Sequence, residues 1–265
     1  MEVIKSKENE KVKHIKKLKD KKYRDEFSQY IIEGTKMIEE AIAEQAHIDS
    51  IVICEDCMKD VTLSETMLYE IAKHDCIYVT ENIFTNLTEV INPQGILAII
   101  NKPKIRKDID YTEDIIMVLE NIQDPGNMGT ILRTIDSTNL KQVIISKNSA
   151  DVYNPKVIRS TMGAIFRLNI IESVDLVKTL TEIKKHKYKI LVTSLNTEES
   201  LYQTELKKVA IVMGNEGNGV SENVLKKADK QIKIPILGAT ESLNVSVATG
   251  IILYEYVRRV TLWAT

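Results

Sequence analysis

Three short stretches combine residue types and spacings that could hold a ligand. The first is NIQDPGNMGTILRT (121–134), directly after an apolar run. Its Asp124-Pro125-Gly126-Asn127 tetrapeptide is turn chemistry, and Gly126 and Gly129 let the backbone approach a partner closely. Asn127 is placed to cap the helix that follows, and Arg133, one turn beyond Gly129, shares its face near the helix start. The second, VMGNEGNGVS (212–221), sets Gly214, Gly217 and Gly219 around Asn215, Glu216 and Asn218. That composition suits a loop wrapped closely round a ligand, with backbone N–H groups as donors. Neither the G-x-G-x-x-G spacing nor a Gly-Lys-Ser/Thr run is present, so it is not a dinucleotide fingerprint or a P-loop. Glu216 would repel phosphate and suits an amine, a hydroxyl or an arginine. The third, IPILGATESLNVSVATGIILYE (234–255), offers Ser242 or Asn244 as a helix N-cap. Ser246, Ala248 and Gly250 behind it are small enough to admit a ligand loop, a chain crossing or a second subunit. None of the four histidines (His14, His47, His74, His186) falls in these stretches, which argues against a histidine base.

The surrounding pattern predicts elements that would bring these turns together. From residue 115 onward, runs rich in Ile and Val at 115–122, 142–146, 166–171, 188–195, 209–214 and 231–236 read as strands covered on both faces. Helical stretches at 128–138, 154–162, 174–186, 222–228 and 245–260 separate most of them. The alternation predicts a parallel sheet with helices on both sides, whose ligands bind at the carboxyl ends of strands. Before residue 101, strands at 30–33, 50–54, 76–79 and 95–100 alternate with helices at 34–44, 64–74 and 82–87, a smaller α/β unit of its own. We place the first domain at 1–103, a linker at 104–112 within the polar stretch 101–114, and the second domain at 113–265.

The order and spacing of the three stretches resemble the SpoU (TrmH) family of RNA ribose 2′-O-methyltransferases, within the wider SPOUT class. The likeness covers residues 113–260 and includes NPKVIRSTMGAIFRL (154–168), while IIEGTKMIEEAI (31–42) is similar to the ribosomal-protein-like substrate-binding domain of many members. The resemblance implies an α/β fold with a deep trefoil knot in the parallel-sheet domain, S-adenosylmethionine as cofactor, and a homodimer formed through the knotted domain. Gly214, Ile234 and Leu243 would contact the cofactor through their backbone, with Thr193, Leu195, Met213, Asn215, Gly217, Ile236 and Asn244 close by. Arg133 would be catalytic, with Asn127, Glu216, Ser242 and Asn244 around it. Glu216 would pair with Arg133 or orient Asn127, and Arg159 and Ser160 would touch RNA. The reaction would be an in-line attack of a ribose 2′-oxygen on the sulfonium methyl. An arginine is an awkward base, so Arg133 is read first as a positioner of phosphate and a stabiliser of the developing alkoxide.

Composition narrows the alternatives. The chain has 265 residues, 43% hydrophobic and 28% charged, enough to bury a core without disulfides. Only 5% are aromatic, which leaves little for a base-stacking platform. Residues 1–24 hold ten Lys or Arg against four acids, a local +6 in a chain whose total is −2. A basic arm of this kind suits RNA, with Lys13, Lys16 and Lys17 as candidate contacts, and equally a solvated helix that aids solubility. No run reaches the roughly 18 apolar residues of a membrane helix, and three cysteines form no framework, so a cytoplasmic setting without a membrane partner is expected. No metal is expected: Cys54-Glu55-Asp56-Cys57 lacks a second pair at zinc spacing. The leading reading is a 23S rRNA methyltransferase. A tRNA methyltransferase and a non-catalytic RNA-binding or ribosome-assembly factor are the alternatives. A nucleotide-binding oxidoreductase is disfavoured by the missing glycine fingerprint.

Overall fold

A computed structural model describes residues 2–58, 63–103 and 108–262. The chain forms two compact units, Met1–Ile105 with Asp151–Phe166, and Arg106–Ala150 with Arg167–Thr265. The first runs β1 (Val3–Ile4), α1 (Glu10–Lys17), α2 (Lys21–Phe27), β2 (Gln29–Glu33), α3 (Thr35–Ala43), β3 (Ile48–Ile53), α4 (Glu65–Ile71), β4 (Asp75–Val79), α5 (Glu81–Leu87) and β5 (Ile96–Asn101). Its sheet has the order β1-β4-β3-β5-β2, with β5 antiparallel to both of its neighbours.

The basic N-terminal stretch is not a free arm. Asn9 caps α1 by accepting from the Lys11 amide, and Val12, Ile15 and Leu18 are buried in the core of the first unit with Phe84 and Leu97. Burying these three side chains at a spacing of three commits the helix to the domain. Several of the cations are also engaged. Lys11 meets Asp75 at 3.2 Å, and Lys13 meets Glu8 at 2.9 Å. Arg24, only 2% exposed, meets Asp151 at 2.6 Å and donates to the carbonyls of Leu18 and Lys19. Lys16 and Lys17 remain exposed.

The second unit continues with β6 (Ile115–Leu119), α6 (Pro125–Ser137) and β7 (Gln142–Ser146). The chain then passes through α7 (Pro155–Thr161) and α8 (Ala164–Arg167), and resumes at β8 (Asn169–Ser173), α9 (Leu176–Lys185), β9 (Lys189–Thr193), β10 (Val209–Met213), α10 (Glu222–Leu225), β11 (Lys230–Ile232) and α11 (Val245–Leu262). All five pairings of the sheet β11-β9-β10-β6-β7-β8 are parallel. The strands at 166–171 and 231–236 expected from hydrophobicity are therefore shifted and shortened. Phe166 and Arg167, expected to open the strand, instead close the helical turn Ala164–Arg167. The short strand on β9 ends at Ile232, and Lys233 turns to pair with Ser200 in an isolated parallel bridge.

Helix α7, assigned from its sequence to the second domain, groups with the first unit, where it packs on β2. Of the expected linker, residues 104–107 lie outside the described set. Asp110 belongs to the second unit, its amide donating to Gln142 Oε1 at 2.9 Å. Among the described residues no helix is long and apolar enough to cross a membrane.

Candidate active site

The strand order reverses between β6 and β10, since β7 and β8 lie on one side and β9 and β11 on the other. Ligands of open parallel sheets bind at the carboxyl ends of strands flanking such a reversal. A cavity of about 610 Å3 opens there. All ten residues expected at the cofactor line it: Thr193 and Leu195 after β9, Met213, Gly214, Asn215 and Gly217 from β10 and its loop, Ile234 and Ile236 after β11, and Leu243 and Asn244 before α11. Glu216 and Ser242 also line it. Sequence reasoning missed the polar residues Ser194, Asn196 and Lys233 on its wall, which lie in loops with no glycine signature, and gave no role to Glu241, which stands in the third stretch beside Ser242.

Local chemistry explains the shape of the β10 loop. A Cβ on Gly214 would lie 2.3 Å from the Gly219 carbonyl carbon and 2.4 Å from the Val220 nitrogen, so only glycine lets the two limbs of the loop touch. Gly219 sits at φ +66°, in the left-handed region that favours glycine. Asn215 and Gly219 exchange backbone hydrogen bonds at 2.9 Å, and Asn215 Oδ1 accepts from the amides of Gly217 and Asn218 at 3.0 Å.

The three glycine- and asparagine-bearing stretches are joined by side chains. Asn244 Nδ2 donates to Asn127 Oδ1 at 3.0 Å, and Asn127 Nδ2 donates to Glu216 Oε1 at 3.1 Å. Of the two roles expected for Glu216, the structure shows the orientation of Asn127 and not a pair with Arg133. The Gln123 and Asp124 amides also point at this carboxylate, at 3.4 and 3.3 Å. Partial burial would raise the Glu216 pKa, but hydrogen bonds from Asn127 and the surrounding amides outweigh it and hold the carboxyl below its ordinary value. Glu216 is therefore an anion at neutral pH, which fixes Asn127 with its amide nitrogen towards the carboxylate and its oxygen towards Asn244.

Two caps place these side chains. Asp124, not Asn127, caps α6: its side chain accepts from the Asn127 amide at 2.8 Å, and Pro125 occupies the first turn. Asn127 is thereby left with its side chain free for Glu216 and Asn244. At α11 the cap is Asn244 rather than Ser242, since Asn244 Oδ1 accepts from the Ser246 amide at 2.8 Å and from Ser246 Oγ at 2.6 Å. Ser242 is exposed, its carbonyl accepting from Thr240 Oγ1 at 3.2 Å. Of the small residues behind it, Ala248 lines the cavity and Gly250 faces Thr134 of α6.

Arg133 is exposed, and among the described residues its guanidinium makes no hydrogen bond or ion pair. It is available to a ligand from outside. Arg159 and Ser160 lie on α7 in the first unit. Arg159 meets Glu89 at 3.9 Å, and the Ser160 hydroxyl donates to the Lys156 carbonyl. Among the described residues no three His, Cys, Asp or Glu side chains gather as a metal would need.

Comparison with known proteins agrees with this geometry. Residues 114–254 match the family model of the SpoU rRNA Methylase family, and residues 9–98 match the MRM3-like substrate binding domain. The chain is 32% identical over 258 residues to the 23S rRNA (guanosine(2553)-2′-O)-methyltransferase RlmP of Bacillus subtilis (strain 168), covering 96% of this chain and 99% of that protein. The crystal structure of an RNA 2′-O ribose methyltransferase superposes with a TM-score of 0.83 at 28% identity, over 98% of this chain and all of the other. That of an AdoMet-bound rRNA methyltransferase from Sinorhizobium meliloti superposes with a TM-score of 0.83 at 26% identity, covering 97% of this chain and 98% of that one. On the matched length, and on the joined turns that carry the match, the chain belongs to the SpoU rRNA methylase family.

Proposed function

We propose that the chain transfers the methyl group of S-adenosylmethionine to a ribose 2′-hydroxyl of RNA, with 23S ribosomal RNA as the target. The observation that carries this reading is the meeting of ten cofactor-type residues in one cavity whose rim holds the Asn244–Asn127–Glu216 chain. The residues fit the cofactor. Ile234, Ile236 and Leu243 offer an apolar slot for a purine, Gly214 presents bare backbone, and the Glu216 and Glu241 carboxylates suit a ligand that carries a sulfonium and an ammonium group.

When bound, the cofactor supplies an already activated methyl on a good leaving group. What remains for the protein is to align the attacking oxygen and assist loss of its proton. Arg133, exposed and charged about two turns into α6, would hold the phosphate next to the target ribose and stabilise charge growing on the 2′-oxygen. Asn127, fixed by Glu216 and Asn244, presents its amide at the rim where that ribose would arrive. Ser242, exposed and on the same wall, completes the set. The first unit would bind the RNA body, with Lys16 and Lys17 adding phosphate contacts that carry no sequence information and weaken with salt. Arg159, Ser160 and Lys13 would contribute from the same unit.

The reading extends to a deep trefoil knot in the second unit, a cytoplasmic setting, and a homodimer. Val247 and Tyr254, 50% and 53% exposed on one face of α11, suit the dimer interface. Incubating the protein with total RNA and tritiated cofactor, then mapping 2′-O-methyl positions, tests the function. The expected result is one labelled site in 23S rRNA, abolished by Arg133→Ala, with cofactor affinity of the variant within a few-fold of the wild type. Label on tRNA alone, or none, refutes the assignment, and a turnover of Arg133→Ala near the wild-type value removes Arg133 from the chemistry.

A further inference from the structure

We propose that Glu120, buried at the end of β6, is a positioning residue whose carboxylate latches the 214–219 loop into its ligand-holding place through Ser221. Glu120 is 6% exposed. The Ser221 amide donates to its Oε2 at 2.9 Å and the Ser221 hydroxyl to its Oε1 at 2.6 Å. A buried carboxylate needs such partners, and charge-assisted hydrogen bonds of this length are the strong ones.

What the latch controls follows from the loop itself. The loop is internally closed. Asn215 and Gly219 are bonded to each other in both directions, Asn215 Oδ1 ties down the next two amides, and the limbs touch at Gly214. Its remaining freedom is a rocking about its neck, at residues 214 and 220. Two consecutive residues oppose that motion from either side. The Asn121 carbonyl accepts from Asn215 Nδ2 at 2.9 Å near the entry, and the Glu120 carboxylate holds Ser221 just past the exit. The chain leaving these two residues enters α6, which carries Asn127. Residues 120–121 therefore set the distance between the loop that bears Glu216 and the helix that bears Asn127.

A rocked loop would part Glu216 from Asn127 and withdraw Gly214 and Asn215 from the cavity wall. Apparent affinity for a ligand in that cavity falls in proportion to the fraction of molecules with the loop seated. The proposal rests on the reading of the cavity as the S-adenosylmethionine site.

The test uses the full chain, with S-adenosylhomocysteine, the spent thioether, as calorimetric probe. Removing one hydrogen bond to a charged group shifts an equilibrium by about tenfold or more, so Ser221→Ala is expected to weaken binding by about tenfold and to speed hydrogen exchange at the 217–219 amides. Ser221→Thr, which keeps both donors, is expected to bind within about twofold of the wild type. Ser221→Ala that binds as the wild type does, even with a lowered melting temperature, overturns the proposal, because a purely structural role would move stability alone. If Ser221→Ala does not fold, Ser221→Cys keeps the size with a weaker donor. An intermediate affinity supports the latch, and an unchanged one overturns it. Wild-type protein that does not bind the thioether overturns the cavity assignment and the latch with it. Wild-type binding matched by Ser221→Ala, or by Ser221→Cys where the alanine variant does not fold, overturns the latch alone.

Discussion

Replacing Asn127 by aspartate keeps its shape and reverses the chemistry at the centre of the Asn244–Asn127–Glu216 chain. The Asn127 amide nitrogen lies 3.1 Å from a Glu216 carboxylate oxygen. Two unit charges at that separation repel by about 1.3 kcal/mol in a water-like medium and by about 5 kcal/mol at an effective dielectric of about 20. Glu216 is exposed, so the lower figure governs, to which the lost hydrogen bond adds about 1 kcal/mol. Asn127→Ala forfeits hydrogen bonds of about 1 kcal/mol each but introduces no repulsion. Since Asn127 makes two such bonds, both variants are expected to lose about 2 kcal/mol at pH 8 and to be slowed in methyl transfer.

Acid should separate the two. Carboxylates this close share a proton, and one of them titrates above its usual range. The deficit of Asn127→Asp against the wild type should then shrink as pH falls from 8 to 5, while that of Asn127→Ala stays level. Urea denaturation at three pH values, with rates on the mapped RNA, measures both effects. A deficit of the aspartate variant that is independent of pH would refute the role given to Glu216.

Other outcomes follow from particular contacts. Gly214→Ala must push a methyl into backbone at 2.3 Å and is expected to abolish cofactor binding, whereas Gly217→Ala, whose nearest foreign atom is Asn215 Oδ1 at 3.7 Å, is expected to bind normally; calorimetry on the pair checks both. Arg24→Ala strands the buried Asp151 carboxylate, so urea denaturation should show a loss of about 3 kcal/mol or more, partly regained when Asp151→Ala is added. On α11, hydrogen bonds from Arg258 and then Arg259 hold the Glu255 carboxyl down at about 2. The stability this group lends is complete above its unfolded value of 4.5 and is lost as pH falls towards about 2. Thermal unfolding should accordingly show the wild type's advantage over Glu255→Gln vanish across that window.

Legibility in the sequence divided by range of interaction. The loop at 214–219 and Asn244 were readable because turn chemistry is local: their glycines and asparagines declare backbone needs without reference to the rest of the chain, whereas Thr193, Leu195, Met213, Ile234, Ile236 and Leu243 came only from the resemblance to the SpoU (TrmH) family. Caps were half readable. Asp124 before Pro125 carries the signature of an N-cap followed by proline in the first turn, yet Asn127, three residues on, drew the assignment because its own side chain can do the same work.

The N-terminal helix was masked by its charge, since the lysine count hid the spacing of Val12, Ile15 and Leu18. Glu120 gave one signal only, a carboxylate ending the run IIMVL, and its partner lies a hundred residues away. The grouping of α7 with the first unit depends on β2, a contact that no local pattern contains. Strand limits at 169–173 and 230–232 were misjudged because hydrophobic runs mark burial, and a buried turn of helix or a loop over a cavity is as apolar as a strand.

Equilibrium titration of the purified chain with S-adenosylmethionine bears most directly on the central claim, that the joined turns at the β6–β10 reversal enclose this cofactor. The account predicts one molecule bound per chain, displaced by S-adenosylhomocysteine. Absence of uptake by folded wild-type protein, or uptake undiminished in Gly214→Ala, would contradict it.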